Sequence, residues 1–300
     1  MLRSRHITEM LVSFASFFCD VYLGFREMKV PFALFLAVLF IFRGGLFAEV
    51  VIVIDPGHGG VHQKGKSDGS QEGDGSSWNN EHAAHHGYLE KDLALEYSQE
   101  IVKALAASSR AQKLQAKAVL TRNDDSHVSS MGRAAVAVEN SARVFLSVHF
   151  NGSSSHTAEG TRGYIVSKEH PHWEYMHFVN PYADRDRAFS ELVTKKVATA
   201  LQPFGANPAK VKTVGDSKHD GGHLKDGIRA LGFARQDTHL YQAVVMLLEV
   251  EFIDNPKVAS WLLSPENRDK ARQAVAQAVV ESICDHLDKD TLPSAPKKSR

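Results

Sequence analysis

The chain has 300 residues, with 35 Lys and Arg against 35 Asp and Glu, and 16 His. Zero net charge argues against a nucleic-acid binder, which normally carries a basic surplus. A composition of 43% hydrophobic and 23% charged residues excludes a disordered chain. Two cysteines, Cys19 and Cys284, can neither build a disulfide scaffold nor supply CxxC zinc spacing, so metal ligands must be sought among His and carboxylates.

Residues 30–42 read VPFALFLAVLFIF, an apolar run of 13 residues. That is short for a membrane span, which needs about 20. Lys29 precedes the run and Leu46-Phe47-Ala48 follows it as a small-residue cleavage site, the layout of a secretory signal. Met28 stands directly before Lys29 and offers an alternative start. An uncleaved anchor is the competing reading, because Leu11–Phe25 is also apolar. The expectation is therefore a signal or upstream segment over 1–48, one domain over 49–288 and a frayed tail over 289–300, with an exported, periplasmic or cell-envelope location. Removal of 1–48 would leave Cys284 as the only thiol.

After residue 48 the elements alternate. Val50–Ile54 is a continuous β-branched run, the pattern of a strand covered on both faces. Residues 59–88 form an aperiodic polar loop carrying His62, His82, His85 and His86, read as a solvated loop. A helix starts at Glu90 with Leu93, Tyr97, Ile101 and Leu105 on one stripe. Strands are predicted at Ala118–Leu120 and Val144–Val148, with a helix over Ser129–Glu139 between them. A strand at Arg162–Val166, a polar loop to about Asp184 and a helix over Arg187–Leu201 follow. Val244–Glu249 is the last strong strand, and a helix over Glu266–Leu287 closes the domain. No internal repeat is visible. The alternation predicts a single α/β domain with a mostly parallel or mixed central sheet of about six strands and helices on both faces.

Ligands of open α/β sheets sit beyond the carboxyl ends of strands. Four chemically competent groups fall at such places: His58 after the first strand, Glu90 opening the first helix, His149 ending a strand and Glu249 ending the last one. Singly, each has a bland reading. A His after a strand is often a hydrogen-bonded loop residue, Glu90 complements a helix dipole, and His149 could be a satisfied core histidine. Glu249 is harder to dismiss, since a carboxylate closing the run Val-Val-Met-Leu-Leu needs a partner or a task. Jointly, two imidazoles and a carboxylate make a three-ligand catalytic zinc set with a fourth position for water, and a second carboxylate can act as base.

Ile54-Asp-Pro-Gly-His-Gly-Gly60, Glu90-Lys-Asp-Leu, Thr121-Arg122, Arg133, Ser147-Val-His-Phe-Asn151 and Leu248-Glu-Val-Glu-Phe-Ile-Asp-Asn255 occur in this order. Together they resemble the zinc-dependent N-acetylmuramoyl-L-alanine amidases of the amidase-3 type, over roughly residues 50–288. The resemblance implies one catalytic zinc held by His58, Glu90 and His149, with Glu249 as catalytic glutamate. It also implies an exported hydrolase of the muramyl lactyl–L-alanine amide, acting in wall remodelling or cell separation. Its partner would be peptidoglycan, muropeptides or lipid-linked precursors rather than nucleic acid; a protein activator is not specified. The alternatives are a wall-binding pseudoenzyme and a zinc peptidase of the stem peptide.

Two departures stand out. The family carries a small residue where this chain has Glu251. Strand alternation puts 249 and 251 on the same side, where a second carboxylate would raise its neighbour's pKa and should tolerate Gly or Ala. Some relatives also carry a helix that plugs the site, and the stretch between Val166 and Arg187 is short for one.

Overall fold

In the computed structural model, the described residues are 49–60, 87–168, 180–215 and 243–289, with Leu231, Ala234 and Leu240 beside them. The upstream segment, the histidines of the 59–88 loop, most of the 166–184 stretch and the tail lie outside them.

The chain builds a six-stranded mixed sheet. In chain order the elements are β1 (Val50–Pro56), α1 (Glu90–Ala107), α2 (Ser109–Lys113), β2 (Ala116–Leu120), α3 (Ser130–Glu139) and β3 (Val144–Asn151). Then come β4 (Arg162–Ile165), α4 (Ala183–Leu201), β5 (Lys212–Gly215), β6 (Val244–Phe252), α5 (Pro256–Leu262) and α6 (Arg268–Lys289). The strand order is β2-β1-β3-β6-β4-β5. The first four run parallel; β4 pairs antiparallel with β6 and parallel with β5.

The two periodicities explain the layers. Ile52 and Ile54, Leu146 and Val148, and Met246 and Leu248 point to one face and pack with the apolar stripes of α1, α4 and α6. Their neighbours Val53, Phe145, Val245 and Leu247 point to the other, against Ala134 and Ala137 of α3. This is why the continuous apolar runs read correctly as strands: successive side chains feed opposite cores. Ser129 caps α3 by accepting from Gly132 N at 3.1 Å, and Asn255 caps α5 by accepting from Lys257 N at 2.9 Å with Pro256 at the first helical position.

Several elements and boundaries differ from the sequence reading, β3 among them, which runs on to Asn151. β5 was not foreseen, because Lys-Thr-Val-Gly has too few apolar residues to signal a strand. α4 begins at Ala183, four residues early, with Asp184 and Asp186 in its first turn. β6 does not stop at Glu249 but runs to Phe252, with all nine residues buried.

Candidate metal centre

Parallel pairing brings the carboxyl ends of β1, β3 and β6 together. Asp55 lies opposite Ser147, and His149 opposite Glu249. Beyond β1 the chain turns through Gly57 to Gly60. His58 adopts a left-handed φ of 55°, followed by Gly59 at 119° and Gly60 at 78°. Only glycine takes the last two without penalty. Gly57 answers a different need: a Cβ there would lie 2.4 Å from Cε1 of His149, so its absence makes room for that ring.

The turn carries His58 towards Glu90 at the start of α1. His58 Nε2 lies 2.9 Å from Glu90 Oε1, His149 Nδ1 lies 3.0 Å from the same oxygen, and the two nitrogens are 3.2 Å apart. Glu90 is itself fixed by Phe150 N, which donates to Oε1 at 3.0 Å. Three donor atoms thus form a nearly equilateral triangle. A tetrahedral zinc with ligand bonds of about 2.0–2.1 Å requires spacings of about 3.3 Å, slightly wider than these. Protons fit the triangle poorly. If both imidazole nitrogens donate to Glu90, their N–H groups face each other; a central cation would instead satisfy all three lone pairs. Burial, reinforced by neighbouring His58, lowers the pKa of His149 and favours the neutral imidazole a metal needs. Burial opposes the charge of Glu90, but the imidazoles outweigh it and hold the carboxyl well below its ordinary range. Among the described residues, this trio is the one His/Cys/Asp/Glu cluster able to hold a metal ion.

Glu249 stands next to His149 on the adjoining strand and is only 6% exposed. Its Oε2 is buried without a hydrogen-bond partner among the described residues. Burial, with the nearby Glu90 charge, pushes its carboxyl well above the ordinary value. It is a carboxyl left available to exchange a proton.

Glu251 departs from the expected alternation. The register moves from His149↔Glu249 to Asn151↔Phe252, so β6 spends one extra residue in a bulge. The Glu251 carboxylate accepts from Gly160 N at 2.7 Å and Phe252 N at 3.2 Å, which spends it on the backbone. Downstream, Asp254 accepts from Ser153 N at 2.8 Å and lies 2.9 Å from His156 Nδ1, and Asn255 donates to Ala158 O at 2.8 Å. Glu251, Asp254 and Asn255 therefore strap the 152–160 loop to the end of β6. Glu251→Ala is expected to lower unfolding free energy by about 1–3 kcal/mol, because it strands buried backbone donors; chemical denaturation checks this against the tolerance that alternation alone suggested.

Sequence reasoning also gave no task to Asp55. It is buried, and accepts from Thr121 Oγ1 at 2.5 Å, Ser147 Oγ at 2.6 Å and Arg133 at 2.6 Å. Burial opposes its ionisation, but Arg133 and the two hydroxyls prevail and keep its pKa below the ordinary value. A charged residue directly after a fully buried run was the available signal.

The family profile described as N-acetylmuramoyl-L-alanine amidase matches residues 52–281. A cell wall amidase of Bacillus anthracis, itself described as uncharacterized, is 25% identical over 232 residues. The match takes in 77% of this chain but 35% of that relative, so the chain spans about a third of its length. Among solved structures, the N-acetylmuramyl-L-alanine amidase Ami1 of Mycobacterium smegmatis superposes with a TM-score of 0.55 at 20% identity, covering 80% of this chain and 98% of that one. The N-acetylmuramoyl-L-alanine amidase of Clostridium difficile 630 gives 0.54 at 18%, covering 81% and 99%. The catalytic domain of CwlV from Bacillus (Paenibacillus) polymyxa gives 0.52 at 21%, covering 80% and 99%. These superpositions share the fold, while the profile spans the sheet and all four site residues from His58 to Glu249, so the chain belongs to the N-acetylmuramoyl-L-alanine amidase family.

Proposed function

We propose that this protein is an exported, zinc-dependent amidase that hydrolyses the bond between the lactyl group of N-acetylmuramic acid and L-alanine of the peptidoglycan stem. The observation that carries the reading is Glu249: a buried carboxyl with one oxygen unpartnered among the described residues, in register with His149 of a His–Glu–His donor set. His58 Nε2, Glu90 Oε1 and His149 Nδ1 are the atoms that would hold the metal. When bound, zinc would supply a Lewis acid that acidifies water and polarises a carbonyl oxygen. Glu249 takes a proton from the attacking water and returns it to the leaving nitrogen, which departs as the free amine of L-alanine. Burial and the nearby Glu90 charge raise its pKa, which favours its holding the proton taken from water until the leaving nitrogen receives it. Glu90 is held ionised in the same site, so the two carboxyls are driven to different tasks.

The test uses the purified chain from residue 49, loaded with one equivalent of zinc and incubated with sacculi or soluble muropeptides. Mass spectrometry should detect intact stem peptides with a free L-alanine amine, and glycans that keep their lactyl groups. Cleavage inside the stem would make the protein a peptidase, and binding without products would make it a wall-binding module. Full turnover after rigorous chelation would remove zinc from the reading. The CwlD amidase of Clostridioides difficile is solved with the GerS lipoprotein; turnover by this chain alone would argue against a comparable requirement here. Export rests on Lys29, the apolar run and Ala48. N-terminal sequencing of envelope protein should start near Glu49, and an intact upstream segment in the cytosol would refute it.

A further inference from the structure

All three donor residues are tied to one buried polar hub. Arg133 and Arg122 are 5% and 4% exposed, and both guanidinium groups aim at the turn that carries His58. Arg133 donates to Asp55 Oδ1 at 2.6 Å, Pro56 O at 2.6 Å and His58 O at 2.5 Å, and through Nε to Val128 O at 3.0 Å. Arg122 donates to Pro56 O at 3.1 Å, Gly57 O at 2.6 Å, Lys91 O at 2.8 Å and Asp124 O at 2.8 Å. Three successive carbonyls, of Pro56, Gly57 and His58, therefore each receive at least one charged N–H.

The links reach every donor residue. One terminal nitrogen of Arg122 bridges Gly57 O and Lys91 O, the neighbours of His58 and Glu90, and so sets the spacing between β1's turn and the first turn of α1. Ser147, two residues before His149, donates to the Asp55 carboxylate that Arg133 grips. Lys91 closes the ring by donating to Gly60 O at 3.2 Å and Asp125 Oδ2 at 2.7 Å.

Such a hub is costly. It brings two cations and one carboxylate out of water, and the two guanidinium groups repel each other. His58 adds strain, because a non-glycine residue in a left-handed conformation costs about 1–3 kcal/mol and persists only when its surroundings over-determine it. Lysine could replace the charge but not the planar fork that meets several oxygens at once. That a costly assembly meets a strained ligand, and also touches the supports of the other two, is best explained by a need for ligand precision.

We propose that Arg122 and Arg133 are positioning residues that lock the His58 turn and fix its distance to Glu90, and that they thereby set the metal affinity of the centre. The inference rests on the zinc reading. Its test is zinc affinity measured by chelator competition, with the absorption spectrum of the cobalt(II) form reporting ligand geometry; neither needs turnover. Arg133→Lys and Arg122→Lys should each weaken zinc binding by about 10- to 100-fold, the range for residues that orient metal ligands. They should also alter the cobalt spectrum while circular dichroism stays native. A double-mutant cycle separates positioning from general support. In a His58→Ala background, where the locked ligand is gone, Arg133→Lys should change the residual affinity much less than it does in the wild type. If one lysine variant fails to fold, the other carries the same comparison. Wild-type zinc affinity retained in a folded lysine variant, or an equal loss with and without His58, overturns the proposal. A wild-type protein that binds no zinc overturns the metal reading and this proposal together.

Discussion

Glu249→Gln should leave the fold and zinc stoichiometry intact while lowering turnover by about 10² to 10⁴, the usual contribution of a general acid–base group. Glutamine keeps the length and shape of the side chain but cannot accept a proton. Because Glu249 Oε2 has no hydrogen-bond partner among the described residues, the exchange breaks none at that oxygen. The metal-free protein gives a second readout. Folding raises the pKa of Glu249 above its ordinary 4.5. The folded state therefore holds this proton over the pH range where the unfolded chain has lost it. Stability falls as pH climbs from about 4.5 to the raised folded value. Glu249→Gln removes that penalty, so its metal-free form should melt higher than wild type at neutral pH and alike at pH 3. Measured zinc content, melting temperature and muropeptide turnover decide the matter together. Loss of zinc from Glu249→Gln would turn Glu249 into a ligand, and unimpaired turnover would remove it from catalysis.

His149 and Glu249 stood out in the sequence because two local signals coincide at each, an apolar run that must be a strand and a polar residue that has no reason to close it, whereas His58 follows its strand in a turn and Glu90 opens a helix. Glu249 is the clearest case, since Val-Val-Met-Leu-Leu commits it to the interior before any partner is known. The same logic misjudged the end of β6. A glutamate reads as a stop, yet Glu249 and Glu251 are both buried and the strand continues to Phe252. Strict alternation then failed at Glu251, because a bulge is a property of the pairing with β3 and leaves no mark on β6 alone. The arginine hub was hidden for a related reason. Arg133 and Asp55 are 78 residues apart, and nothing in either neighbourhood announces the other. Local patterns identify the residues that face a site; long-range polar pairing shows which neighbouring groups brace them.

Gly57→Ala should abolish stoichiometric zinc binding and most turnover with little change in the fold. The added methyl would sit 2.4 Å from Cε1 and 2.6 Å from Nδ1 and Nε2 of His149, distances that no relaxed contact tolerates. Gly57 does not share the left-handed φ of Gly59 and Gly60, so backbone strain is not the expected cause. Neighbouring backbone gives little relief. Gly57 N donates to Val148 O at 2.9 Å, which pins the turn to β3, and Arg122 holds Gly57 O at 2.6 Å. The imidazole must therefore swing, and a three-ligand site has no spare donor to replace Nδ1. Gly87→Ala is the control, because Gly87 has a φ of 67° but no atom of the described residues within 4 Å of a new Cβ. It should lose about 1–2 kcal/mol of stability to backbone strain and keep its zinc. Metal analysis of the dialysed variants beside their melting temperatures makes the comparison. Full zinc in Gly57→Ala would mean that the His149 ring does not occupy the position on which the metal assignment depends, whereas loss of zinc in both variants would trace the effect to the turn and not to the ligand.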